Sequence, residues 1–282
     1  METFLLRIII TFVIFALTAC RDANIQTIKQ NNIIPTDTIV ATPAAQYTTI
    51  DTIEYDKTIY PVGNELKTKV LTTGDFHEEE VWQNADKEKW FGLFKGSNGF
   101  YVEQITITTK RIHDPIVDEN ENAKTGWKVS TFKKDSNYIL IENLPFLSNR
   151  RVQHFPLKKC TIYPDDTLSF SFLGTDYKLF ATGGKKKVQE DPEAFDVWNY
   201  KLYLTAKKLG HPITQLLVAQ PSFDDKMIDL IFVGDIDGDE ILDLIIDTSS
   251  HYNMLSPTLY LSNPADKQKL VTPVGAHTIV GC

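Results

Sequence analysis

A chain of 282 residues with 29 basic and 37 acidic side chains carries a formal net charge of −8. That balance argues against nucleic-acid or anionic-lipid binding through a basic face. The three cysteines form no Cys-x-x-Cys pair, so no thiol redox or metal motif of that kind is present.

The chain opens with a nearly unbroken apolar run, Phe4 to Ala19, interrupted by Arg7, Thr11 and Thr18. A run this short and this early fits the hydrophobic region of a signal peptide better than a membrane span. It ends in Leu17-Thr18-Ala19-Cys20, which resembles the lipobox of bacterial lipoproteins. The resemblance implies cleavage after residue 19, acylation of Cys20 and attachment to a lipid bilayer at the bacterial cell envelope, at the outer membrane and facing the periplasm or the surface. Each buried CH₂ of an acyl chain adds ~0.8 kcal/mol, so two or three chains anchor firmly. Residues 20–46 are rich in Thr, Ile, Asn, Gln and Pro and thin in aromatics, as expected of a flexible spacer. The segment from Tyr47 to Tyr60 alternates enough to supply a first edge strand.

Residues 47–282 remain for the globular body, enough for one large domain or two closely packed small ones. β-branched and aromatic runs recur at Tyr101–Ile112, Trp127–Phe132, Tyr138–Glu142, Leu168–Leu173, Tyr177–Ala181 and Tyr200–Thr205. They continue at Ile213–Ala219, Ile228–Val233, Leu242–Asp247, Thr258–Leu261 and His277–Val280. Turn formers divide them, among them Pro164-Asp165-Asp166, Gly174-Thr175-Asp176, Gly183-Gly184 and Asn263-Pro264-Ala265, and Lys185-Lys186-Lys187 reads as a solvated loop. Only Glu78–Trp90 leaves room for a short helix. The pattern predicts an all-β fold, an antiparallel sandwich or a partial propeller-like domain. In an oxidising envelope compartment, Cys160 and Cys282 form an even pair and the expected disulfide. Closing a loop of roughly 120 residues adds on the order of 4–5 kcal/mol in the chain-entropy description.

The densest chemistry lies in Gly234-Asp235-Ile236-Asp237-Gly238-Asp239-Glu240-Ile241-Leu242-Asp243. Carboxylates at alternate positions repel one another unless a cation neutralises them, and a hard divalent ion that takes six to eight oxygens does so. Counting Asp235 as position 1, acids fall at 1, 3, 5 and 9, with the backbone carbonyl of Ile241 at 7, close to the ligand order of an EF-hand loop. Glu240 at position 6 and Ile246 at position 12 depart from that loop, and the apolar flanks read as strands, so the expectation is a strand–loop–strand Ca²⁺ site. Followed by Leu244-Ile245-Ile246, the motif resembles the calcium-loop hairpin of FG-GAP/VCBS-type repeats, found in integrin-like propellers and bacterial surface proteins. The resemblance implies Ca²⁺ held by Asp235, Asp237, Asp239, Asp243 and the carbonyl of Ile241, bracing the hairpin 228–247. Gly238 matches the family's tight turn, and Glu240 stands where the family frequently has glycine. A propeller needs the unit repeated, and Gly74-Asp75-Phe76 carries only the opening of a second copy.

Nearby Asp224, Asp225, Asp229, Asp247, Ser249, Ser250 and His251 read as solvated turn polarity. The six histidines, His77, His113, His154, His211, His251 and His277, are scattered without a zinc-peptidase motif, and no nucleophile elbow or P-loop is present. Trp82, Trp90, Trp127 and Trp198, with Phe91, Phe94 and Phe100, are expected to fill a core, a sugar-stacking surface being the alternative. These readings favour a membrane-anchored binding or scaffolding module with a structural Ca²⁺ loop and a glycan or protein ligand, and no nucleic acid. The alternative is an envelope hydrolase or glycan-acting enzyme with a non-local site.

Overall fold

The structure, a computed structural model, describes residues 54–120, 122–189 and 194–281, all within one compact unit that begins at Thr52. The segments expected to be a signal peptide and a spacer, with Cys20 and also Cys282, lie outside the described residues. The strands, in chain order, are β1 Val70–Leu71, β2 Gly74–Phe76, β3 Trp90–Gly96, β4 Gly99–Ile105, β5 Ile107–Ile112, β6 Gly126–Thr131, β7 Ser136–Glu142, β8 Arg150–Arg151 and β9 Thr167–Phe172. They continue with β10 Thr175–Lys187, β11 Phe195–Lys208, β12 His211–Ser222, β13 Asp229–Gly234, β14 Asp243–Asp247, β15 Met254–Leu255, β16 Pro257–Leu261, β17 Thr272–Ala276 and β18 Ile279–Val280. The protein is all-β, its strands antiparallel, with no sheet closed into a barrel among the described residues. No helix among them is long and apolar enough to cross a membrane.

Four sheets are packed in succession. The three-stranded sheet β2-β6-β5 faces the five-stranded sheet β1-β7-β3-β4-β8 across a core of Phe76, Trp90, Phe94, Ile107, Trp127 and Leu140. The opposite side of the five-stranded sheet meets β13-β14-β16-β17 through Phe91, Leu93, Ile139, Ile141, Phe232, Ile245 and Leu259. The far side of β13-β14-β16-β17 packs on β12-β11-β10-β9 through Leu244, Ile246, Tyr260, Leu179, Leu202 and Leu217. Strands β14 and β16 are therefore buried on both faces along their whole length. This explains why Leu244-Ile245-Ile246 is continuous rather than alternating: alternation requires one wet face.

Several sequence expectations are corrected. Tyr101–Ile112 is not one strand but two, β4 and β5, which belong to different sheets. Tyr101, Ile105 and Ile107 do share one core, while the intervening Phe100 and Val102 enter the neighbouring one. Glu78–Trp90 holds only the short 3₁₀ turn Ala85–Lys87. Of His277–Val280 only Ile279–Val280 is strand; the ring of the buried His277 is held between Thr72 and the carbonyl of Glu80. Gly183-Gly184 is not a turn but a bulge inside β10, opposite β11. A Cβ on Gly184 would overlap the Trp198 indole, so glycine lets that ring lie on the sheet. Lys185-Lys186-Lys187 consequently continues β10 instead of forming a loop. Trp90 and Trp127 fill a core as expected, Trp82 packs half-buried against it, and Trp198 is half-buried against the Gly184 bulge instead.

Candidate metal centre

Strands β13 and β14 form an antiparallel pair with Gly234 opposite Asp243, so the loop 235–242 closes a hairpin as the sequence implies. Asp243, at the base of the loop, is fully buried. Its Oδ2 accepts the N–H groups of Ile236 at 2.7 Å and Asp237 at 3.0 Å, and its Oδ1 accepts the N–H of Ser262 at 2.7 Å. One carboxylate thus folds the first turn of the loop and ties it to the end of β16.

The remaining acids point inward from a chain of short turns. Asp235 Oδ1 accepts the N–H of Gly238 at 2.7 Å, Asp237 Oδ2 that of Asn263 at 3.2 Å, and Asp239 Oδ1 that of Ile241 at 2.9 Å. Ser262 Oγ lies 2.9 Å from both oxygens of Asp239 and from Asp243 Oδ1. A hydroxyl donates only one proton, so these oxygens share it and stay under-compensated. Burial, reinforced by the charges of Asp239 and Asp235, pushes the Asp237 carboxyl up to about 6. Burial and the neighbouring Asp237 likewise push Asp243 well above the usual carboxylate range.

Oxygens from Asp235, Asp237 and Asp239 all lie within 4.8 Å of one another. Ligands on a single Ca²⁺ sit at about 2.3–2.6 Å from it, hence up to about 5 Å apart, so the three acids fit one ion. Asp243 lies outside that group of three; its oxygens accept backbone N–H groups and brace the loop from within. Ile241 is on the rim, its side chain 37% exposed. Glu240 takes the left-handed conformation, φ +66°, at the position where glycine is frequent.

One cation is built into the site that local sequence does not reveal. Arg150, on β8, donates from Nη2 to Asp235 Oδ2 at 2.8 Å. The β8 strand pairs with β4, and the chain then runs along β13, where Asp235 N–H donates to Gln153 O at 2.9 Å. Gly238 makes room for the guanidinium: it has φ +94°, and a Cβ there would coincide with Arg150 Nη1. The glycine expected for the turn has this second reason to be small. Ser262, unmarked in the sequence, and Asn263, visible there only as the start of a turn, complete the wall. Arg150 lies 85 residues from its partner, and no local pattern could have found it.

The opposite end of the hairpin is closed by a second buried acid. Asp247 pairs with Lys226 Nζ at 2.7 Å and accepts the N–H groups of Ser249 at 3.1 Å and Ser256 at 2.8 Å. Asp224 pairs with His251 Nε2 at 2.9 Å. The polar residues flanking the hairpin are thus not all solvated turn polarity. Cys160 is half-buried beside β13, its carbonyl accepting the N–H of Leu230 at 2.9 Å; its expected partner is outside the described residues. Compared with protein-family models, with curated proteins and with solved structures, the chain matches none.

Proposed function

We propose that this protein is a Ca²⁺-braced β module of the bacterial cell envelope, tethered by a lipid on Cys20 and acting in binding or scaffolding rather than catalysis. The observation that carries the metal part is the convergence of Asp235, Asp237 and Asp239 within 4.8 Å on a loop whose backbone is already fixed by Asp243. Such a preorganised cup binds a hard cation without folding around it, and the ion in turn relieves the repulsion that raises Asp237. The carbonyl of Ile241 is the natural further ligand. Arg150 supplies one positive charge to the cup, short of what the acids require. The lipid anchor rests on Leu17-Thr18-Ala19-Cys20, and the Cys160–Cys282 disulfide rests on the pairing of the two remaining cysteines.

Calorimetric titration of the protein with Ca²⁺, beside Asp237→Ala, tests the metal reading. Binding at about 10⁻⁴–10⁻³ M, the range of extracellular modules, lost in the variant, is the expected result. Absence of heat in both proteins would mean that Arg150 and the backbone donors suffice and that the loop holds no ion. Mass mapping under non-reducing conditions checks the disulfide, a Cys160–Cys282 cross-linked peptide being expected.

A further inference from the structure

An edge strand presents a row of unpaired N–H and C=O groups to any strand that can align with it, and folded proteins cover or charge such edges. The longer edges of this fold are treated in that way, with one exception. The segment through Tyr60 closes β12, exchanging both hydrogen bonds with Ala219 at 3.1 and 2.9 Å. The stretch 153–161 closes β13, through Phe155 N–H to Val233 O at 2.8 Å and Leu230 N–H to Cys160 O at 2.9 Å. Lys67 and Thr68 both donate to Val274 O on β17, and β5 carries the charges of Lys110 and Arg111. Strand β9, Thr167-Leu168-Ser169-Phe170-Ser171-Phe172, has no charge, no proline and no bulge.

The register shows which of its groups are open. Phe172 faces Thr175 across the two-residue turn Leu173-Gly174, whose φ values of +46° and +81° are those of a type I′ hairpin. The closing pair of such a hairpin is hydrogen-bonded, and bonded pairs then alternate with unbonded ones. Phe172, Phe170 and Leu168 therefore bond β10. Thr167, Ser169 and Ser171 point their backbone groups outward, and no other backbone group among the described residues bonds to them.

We infer that β9 is the seam of a symmetric dimer, pairing antiparallel with β9 of a second copy about a two-fold axis through Ser169. In that register Ser169 faces itself and Thr167 faces Ser171, so every open N–H meets an open C=O. Leu168, half-buried in the single copy, gains Phe170 of the other as its inward neighbour. A two-fold contact of this kind closes on itself instead of growing into a fibre.

Charge and chain direction fit the same axis. The start of β9, where Lys158, Lys159 and Lys185 stand against Asp165 and Asp166, meets the partner's turn end, where the buried Tyr177 feels Asp239 and Asp243. On the outer face at that end Asp176 and Lys178 offset each other. Lys201, between the buried Tyr200 and Leu202, is also on the outer face and pairs with Asp56 at 2.7 Å, while Asn199 holds the carbonyl of Glu54. An axis perpendicular to the sheet leaves both outer faces on one side, as two copies tethered to one membrane require. The pairing itself depends on neither the ion nor the lipid.

Sedimentation of the full chain tests the seam. The mean mass should rise with concentration toward twice that of one chain. Ser169→Pro removes an outward N–H without touching the β9–β10 ladder, so it should stay at one chain and melt like the dilute parent. The register is tested by cysteine. Residues facing each other in a bonded pair have Cα atoms about 5.5 Å apart, within disulfide reach. Oxidised Ser169→Cys should therefore yield a dimer whose peptide map joins the two substituted positions, above any cross-linking of the parent's own cysteines. Ser171→Cys should not, because its two copies would lie more than about 13 Å apart. A parent that stays at one chain at every concentration would overturn the inference. So would association that survives Ser169→Pro, which would place it in another part of the chain, or equal cross-linking at positions 169 and 171. Slow amide exchange at Thr167, Ser169 and Ser171 in the dilute single chain would also overturn it, since a segment of the same chain would then cover the edge.

Discussion

Asp243 and Asp237 sit six residues apart in one loop and do opposite work. Asp243 satisfies three buried N–H groups from two separate segments, so truncating it strands them all. Asp243→Ala should cost about 3–5 kcal/mol, since each buried donor left unpaired costs about 1–3 kcal/mol; denaturant unfolding with and without Ca²⁺ measures it, and the loss should persist in both. Asp237 accepts only two longer bonds, from the N–H groups of Asn263 at 3.2 Å and Asp239 at 3.4 Å, and suffers the repulsion of its neighbours. Asp237→Asn should leave the melting temperature in chelator unchanged or raised, while abolishing the increment that Ca²⁺ gives the parent. Away from this loop, His77 Nδ1 lies 2.6 Å from the buried Asp114. The bond to Asp114 raises the His77 pKa above 6.5. Burial pushes Asp114 up, but the His77 ring and the N–H groups of Ile116 and Val117 together outweigh it, and its pKa falls below 3.8. The histidine contribution is therefore complete below pH 6.5 and lost as pH rises through the higher folded value, whereas the aspartate contribution is lost only as pH falls below the carboxylate range. In His77→Gln the decline of stability above pH 6.5 should flatten, and the His77 proton resonances should titrate above 6.5 in the parent.

The hairpin β13–β14 is clamped at both ends by buried aspartates, Asp243 toward the loop and Asp247 toward Lys226. Replacing Lys226 with Met keeps the stem but leaves the Asp247 charge buried and unpaired, so a loss of about 3–5 kcal/mol is expected in equilibrium unfolding. Much of this element was legible in the sequence. Ile228–Val233 and Leu242–Asp247 are β-branched runs bounded by glycine and aspartate, and they fold as strands close to the expected limits. The spacing of Asp235, Asp237 and Asp239 was equally readable, because acids at alternate positions of a tight loop have few ways to avoid meeting. What could not be read is everything that reaches the loop from elsewhere. Arg150 comes from β8 and Ser262 from the bend after β16, and nothing in their own neighbourhoods marks them. The count of carboxylates alone also could not show that Asp243 braces the loop: that role depends on which N–H groups it finds buried beside it. Trp90–Gly96 escaped notice as a strand for a related reason, since Trp-Phe-Gly-Leu-Phe buries both faces and shows no alternation. Gly183-Gly184 misled because glycine pairs signal turns as well as the bulge that accommodates Trp198.

At the scale of the molecule, the succession of sheets makes the β13-β14-β16-β17 layer common to two cores. Within three consecutive residues of β14, Leu244 and Ile246 enter the core shared with β9–β12, and Ile245 enters the core shared with the five-stranded sheet. All three are fully buried. Neither core can lose its packing without loosening the strand that also lines the other, so the layers should unfold together. Leu244→Ala and Ile245→Ala open cavities on opposite faces, and each should cost about 2–5 kcal/mol, the spread reflecting how far the surroundings collapse into the gap. Scanning calorimetry should then show one transition in the parent, lowered by either substitution without splitting. A layered protein with independent cores would behave otherwise: Ile245→Ala would bring down one step and leave a second at its original temperature. A calcium ion at the end of β13–β14 would act on the same shared layer, so its stabilisation should raise that single transition as a whole rather than protect one sheet.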